Sequence, residues 1–433
     1  MAKLSDPSRI ERFLSLLKQR LGPLGWGSLV VFLIFRCCEV ATMLCRFYLG
    51  HKLSALDFGA MDPVFSVIGV IGIPTAVVFQ IAVKSISRLQ AMGKEAEFRG
   101  LLRDLAKISI VGSVIAIAIV FLLRDYILSR LHLDSVFYIY IIAALILVSW
   151  WNPLYMAILQ GGRDYKLLLI SGVLNSLLLL FVTLALVGWL GMDLRGALLA
   201  RVGAGVITTM LVFAMLAGIF RGERAAYSEE FGIMKQTALP MSIYVISITV
   251  LSSFDRLFVR NYLLADSGGY GAMVTLGSIP VYLIGAVLFV IFPLAAAEHA
   301  KGNDVARFHR NALLMGLGIT LCGAAGFLLF AGSFVPLIRM WNAAFVPYVR
   351  YIWVYAIVMG LQGTIQSIAS VELARHRYGF LWLIALPAFA MCGVLYFARA
   401  FMTISWVLAV LIVTHSLILA GVWLFGVLGE RRT

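Results

Sequence analysis

The residues Arg46-Phe47-Tyr48-Leu49 and Phe58-Gly59-Ala60-Met61 occur a second time, in the same order, later in this chain of 433 residues. The second copies are Arg260-Asn261-Tyr262-Leu263 and Tyr270-Gly271-Ala272-Met273, which follow the first ones after 214 and 212 residues. Two short signatures repeated in one register indicate a duplicated segment. We therefore predict that the chain consists of two similar halves, as in many transporters.

The sequence around both copies is apolar enough to lie in a membrane. Of its residues 62% are hydrophobic and 13% are charged, whereas a soluble domain is about half apolar and about a quarter charged. Apolar stretches of about 20 residues, the length of a helix that crosses the hydrocarbon, recur along the chain. We predict an all-α integral membrane protein with twelve spans, at residues 26–49, 61–83, 108–124, 136–160, 167–190, 194–220, 238–262, 270–295, 311–331, 346–372, 378–398 and 401–427.

Lysine and arginine residues are concentrated on alternate loops between these spans. Most of the 35 lie on the set of loops that includes both chain ends. By the positive-inside rule this set is cytoplasmic, so we expect a multi-pass protein with both termini in the cytoplasm and an even number of spans. The net charge of +14 then reflects membrane topology, and we expect no nucleic-acid partner.

Six spans in each half are an even number, so both halves enter the membrane in the same direction. We predict two six-helix lobes, residues 26–220 and 237–427, related by a pseudo-two-fold axis along the membrane normal. A cytoplasmic linker, 221–236, joins them. The N-terminus, 1–25, is expected to carry an interfacial amphipathic helix, and 428–433 to form a cytoplasmic tail. Such halves can rock around a central site in alternating access, although duplication of a mere scaffold is the alternative.

Ionisable side chains within a span cost about 2.5–3.5 kcal/mol each on insertion scales, so they are rare without a role. Here they are concentrated in the first span of each half: Arg36, Glu39 and Arg46 in one, and Asp255, Arg256 and Arg260 in the other. Arginine is in excess, stays protonated and binds phosphate or carboxylate through a planar fork of donors. This excess predicts a cavity for an anionic substrate.

Other roles stay open for several of these residues. Arg36 and Glu39 are three residues apart and can neutralise each other. Arg46 and Arg260 lie near span ends, from which a long side chain can reach lipid phosphates. We expect the latter role for Arg201, which lies near the start of its span.

A stripe of polar side chains at helical spacing marks the tenth span: Tyr355, Gln362, Gln366 and Ser370. Because amides and a phenol facing lipid would be costly, we expect them to line the cavity and to bind sugar hydroxyls. Hydrogen bonds between helices are the alternative. Glu372, at the end of this span, is expected to face the cytoplasm. Similar polar candidates in earlier spans are Asn152 and Asn175.

The sequence contains no P-loop motif, no zinc-protease motif and no nucleophile-elbow motif. We therefore expect no enzyme and no bound cofactor, and energy from a proton, sodium or substrate gradient. The predicted non-cytoplasmic loops are short, which argues against a membrane glycan polymerase or ligase without excluding one.

The segment Phe254–Leu263, followed by Gly269-Tyr270 and Phe292-Pro293, resembles the multidrug/oligosaccharidyl-lipid/polysaccharide (MOP) exporter superfamily. Within it, the chain is most similar to the Wzx-type flippases of bacteria. A weaker form of the pattern lies in the first half, at Phe58-Gly59 and from Arg88 to Lys94. With the length, the twelve spans and the repeat, this resemblance covers nearly the whole chain.

The resemblance implies a MATE-like V shape in the bacterial inner membrane and a lipid-linked oligosaccharide with a polyprenyl pyrophosphate as cargo. It implies a place in O-antigen (lipopolysaccharide) or exopolysaccharide biosynthesis, beside membrane lipids, a glycan polymerase and glycosyltransferases. The pyrophosphate or acidic sugars would bind Arg36, Arg46, Arg256 and Arg260. The coupling proton or sodium ion would bind Glu39 or Asp255. The main alternative is a cation-coupled drug exporter of the same superfamily, which the arginine excess disfavours.

Overall fold

The computed structural model describes residues 38–285 and 306–430, apart from 163, 224, 375 and 376. Three predicted features lie outside these residues: Arg36, the N-terminal amphipathic helix, and residues 286–295 of the eighth span. Within the described part every regular element is helical. The helices are α1 (38–52), α2 (Ala55–Ile71), α3 (Ile73–Ala91), α4 (Glu95–Leu122), α5 (Arg124–Leu131), α6 (Phe137–Gly161), α7 (Tyr165–Thr183), α8 (Asp193–Leu216), α9 (Ser228–Tyr262), α10 (Ser267–Gly277), α11 (279–285), α12 (Ala306–Leu329), α13 (Ala331–Trp341), α14 (Val349–Ala374), α15 (Leu381–Phe397) and α16 (Ile404–Glu430).

Eight of the described helices are long and apolar enough to cross a membrane, and a ninth span results if α2 and α3 are counted as one. The chain is therefore an all-α, multi-pass membrane protein. Its total of twelve spans stays a prediction.

The helices α2 and α3 are bent by 60° relative to each other. The bend lies at Gly72, and Pro74 occupies the first turn of α3. Proline fits there because the first N–H groups of a helix need no partner within it, and its ring prevents a straight continuation. Helix α2 also begins before the predicted span at residue 61, because Ser54 accepts a hydrogen bond from the N–H of Asp57 and starts the helix.

The described helices form two groups that follow the chain order. Helices α4, α6, α7 and α8 pack on one another, and α12, α14, α15 and α16 do the same in the second half. Helices α2, α3 and α5 belong with the first group and α9 and α10 with the second, and extensive contacts between the groups run from α2, α3 and α5 to α9 and α10. The duplicated signatures lie at this junction, because they end α1 and α9 and lie in the first part of α2 and α10.

Helices α2 and α10 approach each other backbone to backbone. A Cβ atom on Gly59 would overlap the side chain of Ser267 and the main chain of Gly268. A Cβ on Gly268 would overlap the carbonyl group of Ala55. Small residues allow membrane helices to make such close contacts, which increase van der Waals attraction.

Residues around the end of α13 extend this contact at the same end of the bundle. The ring of Trp341 lies 4.5 Å from that of Phe47 and 5.6 Å from that of Phe58, between centroids. The side-chain amide of Asn342 donates a hydrogen bond of 3.1 Å to the carbonyl of Gly50. We call this end, where α1 and α9 end and α2 and α10 begin, the closed end.

The connection between the two halves is attached to α4 at the opposite end. The N–H of Ala225 donates to the carbonyl of Ala96 at 3.0 Å. The hydroxyl of Tyr227 donates to the carboxylate of Asp104, also at 3.0 Å. Burial, together with this carboxylate, raises the pKa of Tyr227 to about 12. The phenol is protonated at neutral pH, as an ordinary tyrosine is, and the higher pKa extends its ability to donate this bond to more alkaline pH.

The contact between α2 and α10 predicts opposite effects for alanine at two glycines of α2. We expect Gly59→Ala to lower the free energy of unfolding by about 1–3 kcal/mol, because its Cβ has no room. Gly69→Ala is the matched control, since nothing lies near its Cβ, and should raise stability by up to about 1 kcal/mol. Thermal unfolding in detergent, followed by tryptophan fluorescence, measures both. Equal stability of the two variants would contradict the close contact.

Candidate functional site

An ion pair at the junction of the two groups joins three helices. The guanidinium of Arg46 in α1 forms an ion pair with both carboxylate oxygens of Asp62 in α2. One nitrogen, Nη1, also donates to the hydroxyl of Thr275 in α10 at 2.9 Å. The side chain of Asp62 is 5% exposed, whereas that of Arg46 is 25% exposed. Arg46 therefore connects the two halves, and its side chain stays partly exposed.

Arg256 of α9 faces the same carboxylate from the second half. It lines a small cavity together with Asp62, Gly59 and Tyr270, and the cavity has a volume of about 10 Å³. That volume holds about one water molecule. Arg256 interacts electrostatically with Asp62 and with its neighbour Asp255. Its Nε has no hydrogen-bond partner among the described residues.

A third arginine lies within electrostatic reach of this pair. The guanidinium carbon of Arg201 in α8 lies 5.7 Å from the centre of the Phe65 ring in α2, and it interacts with Arg46. Its side chain is exposed although it lies over an aromatic ring, so our expectation that Arg201 reaches lipid phosphates stays a prediction. We call Arg46, Arg201, Arg256 and Asp62 the arginine cluster.

Asp255 is held in a buried network that adjoins the cluster at Arg256. Its Oδ2 accepts hydrogen bonds from Tyr270 at 2.6 Å and from Tyr355 at 3.1 Å. Its Oδ1 has no partner within the described part of the chain. Tyr355 is completely buried in this structure, and the predicted contact of its phenol with a substrate stays a prediction. A desolvated carboxylate needs donors, and this hydroxyl supplies one.

Arg260 contacts backbone groups of the other half rather than the arginine cluster. Its Nε donates to the carbonyl of Leu131, and its Nη1 donates to the carbonyl of Leu56, both at 2.8 Å. Nη1 also reaches the hydroxyl of Ser267 at 3.1 Å. Leu131 ends α5, and the last carbonyls of a helix lack partners within it. Arg260 therefore joins α9 to α5 and α2 and is 4% exposed, which favours a structural role over substrate binding.

Glu39 and Arg46 share a helix but lie in different surroundings. Glu39 lines a pocket of about 180 Å³ between α1, α6 and α7. The polar lining of this pocket consists of Thr42, Asn152, Tyr155, Ser171, Asn175 and Ser176. The two asparagines that the sequence suggests as polar candidates thus meet Glu39 within the first half. Carboxylate, amide and hydroxyl oxygens together suit a proton or a small cation.

The polar stripe of α14 is not uniform. Gln362 is buried, whereas Gln366 and Ser370 are half-buried, and the hydroxyl of Ser370 donates back to the carbonyl of Gln366 at 2.7 Å. Glu372 is completely buried and lies 2.7 Å from Nε2 of His309 in α12. The expectation that Glu372 faces the cytoplasm is therefore wrong. A carboxylate can be buried when a neighbouring helix supplies such a partner.

Sequence reasoning missed two members of this site, Asp62 and Thr275. Asp62 directly follows the signature Phe58-Gly59-Ala60-Met61, and an acidic residue one position inside a predicted span is a signal that could have identified it. Thr275 carries no charge, and only its distance to Arg46 reveals its role.

No family model matches the chain, and no curated protein matches it. Solved structures do. A variant of the Vibrio cholerae MATE transporter VcmN superposes with a TM-score of 0.70 over 97% of this chain and 98% of its own, at 18% identity. The chain has the MATE fold. An inward-facing multidrug resistance MATE transporter of the MOP superfamily gives a TM-score of 0.69 over 93% and 98% of the two chains, at 14% identity.

A MOP superfamily transporter from Pyrococcus furiosus shares the MATE fold as well, with a TM-score of 0.62 and 15% identity over 93% of this chain and 94% of its own. That structure is described as having a binding pocket of reverse polarity, which suggests a different function for it. At these identities the comparisons establish the MATE fold over nearly the whole chain.

The contacts of Arg260 predict that its shape matters more than its charge. We expect Arg260→Met to lower the free energy of unfolding by about 1–3 kcal/mol, because buried carbonyls lose their donors. Arg260→Lys should be destabilised almost as much, since an ammonium lacks the planar fork that reaches Leu131 and Leu56 together. Thermal unfolding in detergent measures both changes. A lysine variant as stable as the wild type would show that charge alone is required.

Proposed function

We propose that this chain flips a polyprenyl-pyrophosphate-linked oligosaccharide across the bacterial inner membrane by alternating access. The observation that carries the proposal is the arginine cluster, in which three guanidinium groups outnumber Asp62 and the adjoining Asp255. A pyrophosphate supplies several negative charges and oxygens in the geometry that guanidinium groups bind. A site for organic cations would instead need an acidic excess.

The MATE fold supports a transporter, and the proteins that share this fold bear on the charge of its binding pocket. The multidrug resistance MATE transporters share this fold, and the Pyrococcus furiosus protein with its reversed pocket polarity shares it too. Pocket charge thus varies on this scaffold. An arginine-rich cluster is the variation that suits an anionic lipid-linked sugar, and the MATE fold supports a transporter over a glycan polymerase or ligase.

The proposed transport cycle uses two lobes, 26–220 and 237–427, that rock about the arginine cluster. Under the positive-inside rule, with both termini in the cytoplasm, the closed end faces the periplasm. The glycine contact of α2 with α10 and the bonds of Arg260 support a periplasmic side that is shut in this state. The cargo then enters from the cytoplasmic leaflet, where glycosyltransferases assemble it, and leaves toward a polymerase for cell-surface polysaccharide.

Glu39 is our candidate for the coupling proton or sodium ion. Its pocket collects amide and hydroxyl oxygens from α6 and α7 in the first half, apart from the arginine cluster. Asp255 is the second candidate, since its Oδ1 has no partner among the described residues. A cation-coupled drug exporter is the competing function, which these same two carboxylates support.

Removal of the cluster arginines tests the proposed cargo. We expect Arg46→Ala and Arg256→Ala to abolish transbilayer movement of a fluorescent polyprenyl-pyrophosphate sugar in liposomes, because the pyrophosphate loses its cationic partners. The control Arg399→Ala removes an exposed arginine that contacts Tyr396 and should retain movement. The flippase proposal fails if the wild type moves no lipid-linked sugar but exports a cationic dye.

Neutralising Glu39 tests the proposed coupling. We expect Glu39→Gln to flip the lipid-linked sugar at the rate that the wild type shows without a gradient, since the amide cannot exchange a proton. The comparison is made in liposomes with an imposed proton gradient, and again with a sodium gradient. If Asp255→Asn loses the response to the gradient while Glu39→Gln keeps it, the coupling site is Asp255.

A further inference from the structure

Asp62 already fills the place that an anion would take in the arginine cluster. Both of its carboxylate oxygens accept hydrogen bonds from the guanidinium of Arg46. The carboxylate also attracts Arg256 across the small cavity that the two residues line. A guanidinium binds carboxylate and phosphate with the same fork of N–H groups, so Asp62 and a phosphate group would use the same donors.

The space around Asp62 excludes a phosphate group while this carboxylate is in place. The cavity beside Arg256 has a volume of about 10 Å³, which suffices for a water molecule. A phosphate can contact Arg256 from this side only if Asp62 moves away or α2 separates from α10. Binding of an anion to Arg256 from this side is thus linked geometrically to movement of Asp62 or of α2 relative to α10.

The same arginine also holds the two halves together. Arg46 donates to Thr275 of the second half while it is paired with Asp62 of the first. Asp62 therefore fixes the guanidinium in the position from which it reaches Thr275. If an incoming anion takes Arg46 from Asp62, the bond to Thr275 loses this support.

We propose that Asp62 is an internal competitor of the substrate, which occupies the arginine cluster when the closed end is shut and is displaced by the pyrophosphate group when it opens. This inference rests on the proposed function. A pyrophosphate has several negative charges to share among Arg46, Arg201 and Arg256, so it outcompetes a single carboxylate. A neutral or cationic molecule cannot do so. Asp62 would thus restrict opening of the closed end to polyanionic cargo.

Binding of inorganic pyrophosphate to the purified full-length protein tests the competition. We expect Asp62→Asn to bind pyrophosphate about tenfold more tightly than the wild type, because the competing state is no longer populated. Isothermal titration calorimetry gives the affinity. The control Asp193→Asn removes an exposed acid at the start of α8 and should bind like the wild type.

Opening of the closed end is measured on the same variants. Spin labels replace Lys52 and Met340, which are exposed on opposite halves at this end, after the native cysteines are changed to serine. We expect pyrophosphate to lengthen the distance between the labels in the wild type. In Asp62→Asn the longer distance should be populated without pyrophosphate.

Two further variants keep the test decisive. Thr275→Val removes the bond between the halves but leaves the competitor, so it should loosen the closed end with less gain in affinity than Asp62→Asn. If it gains as much, release of the halves explains the effect and the inference falls. If Asp62→Asn fails to fold, Arg46→Gln is compared with the double variant Arg46→Gln/Asp62→Asn, in which both charges of the Arg46–Asp62 ion pair are removed. The double variant should bind pyrophosphate more tightly than Arg46→Gln alone, because Asp62 no longer competes for Arg256.

Failure of the inference is distinguishable from failure of the proposed function. Equal affinities of the wild type and Asp62→Asn, both lost with Arg256→Ala, would overturn the role of Asp62 and leave the flippase proposal standing. Absence of pyrophosphate binding in a protein that flips the lipid-linked sugar would have the same meaning. Absence of both binding and flipping would overturn both.

Discussion

A guanidinium among membrane helices must find its acceptors within the protein, because the hydrocarbon offers none. Arg46 and Arg260 satisfy this requirement across the junction of the two halves. Arg46 uses Asp62 and Thr275. Arg260 uses the backbone carbonyls of Leu131 and Leu56. The need to compensate these two charges therefore holds the closed end together.

Backbone shape makes this compensation possible. The lack of side chains at Gly59 and Gly268 lets α2 lie directly against α10, and only at such short range does Thr275 come within hydrogen-bond distance of Arg46. The bend at Gly72 then directs α3 away from the axis of α2. Close contact at one end with a bend beyond it suits a bundle whose halves separate and rejoin.

The chemistry of the site follows from how its charges are divided. Asp255 is held by two tyrosines in the second half, and Glu39 lies in its own pocket in the first. Neither carboxylate forms the close pair with Arg46 that Asp62 forms. The arginine cluster thus keeps a cationic excess at the junction, while Glu39 lies in its own pocket and Asp255 adjoins Arg256. An anionic cargo and a separate coupling cation would each have a site under this division.

The sequence by itself determined the class of this protein, because hydrophobic length and the placement of basic residues depend on local composition. It also indicated the duplication and the charged first helix of each half. Tertiary structure alone decided how those charges are used. Arg46 and Arg260 occupy equivalent positions in the repeat, yet one faces Asp62 and the other faces backbone carbonyls. Arg201 turns toward Phe65, and Tyr355 is buried against Asp255. Helical periodicity places a side chain on a face, but its partner comes from another helix far away in the chain, and only packing brings that helix near.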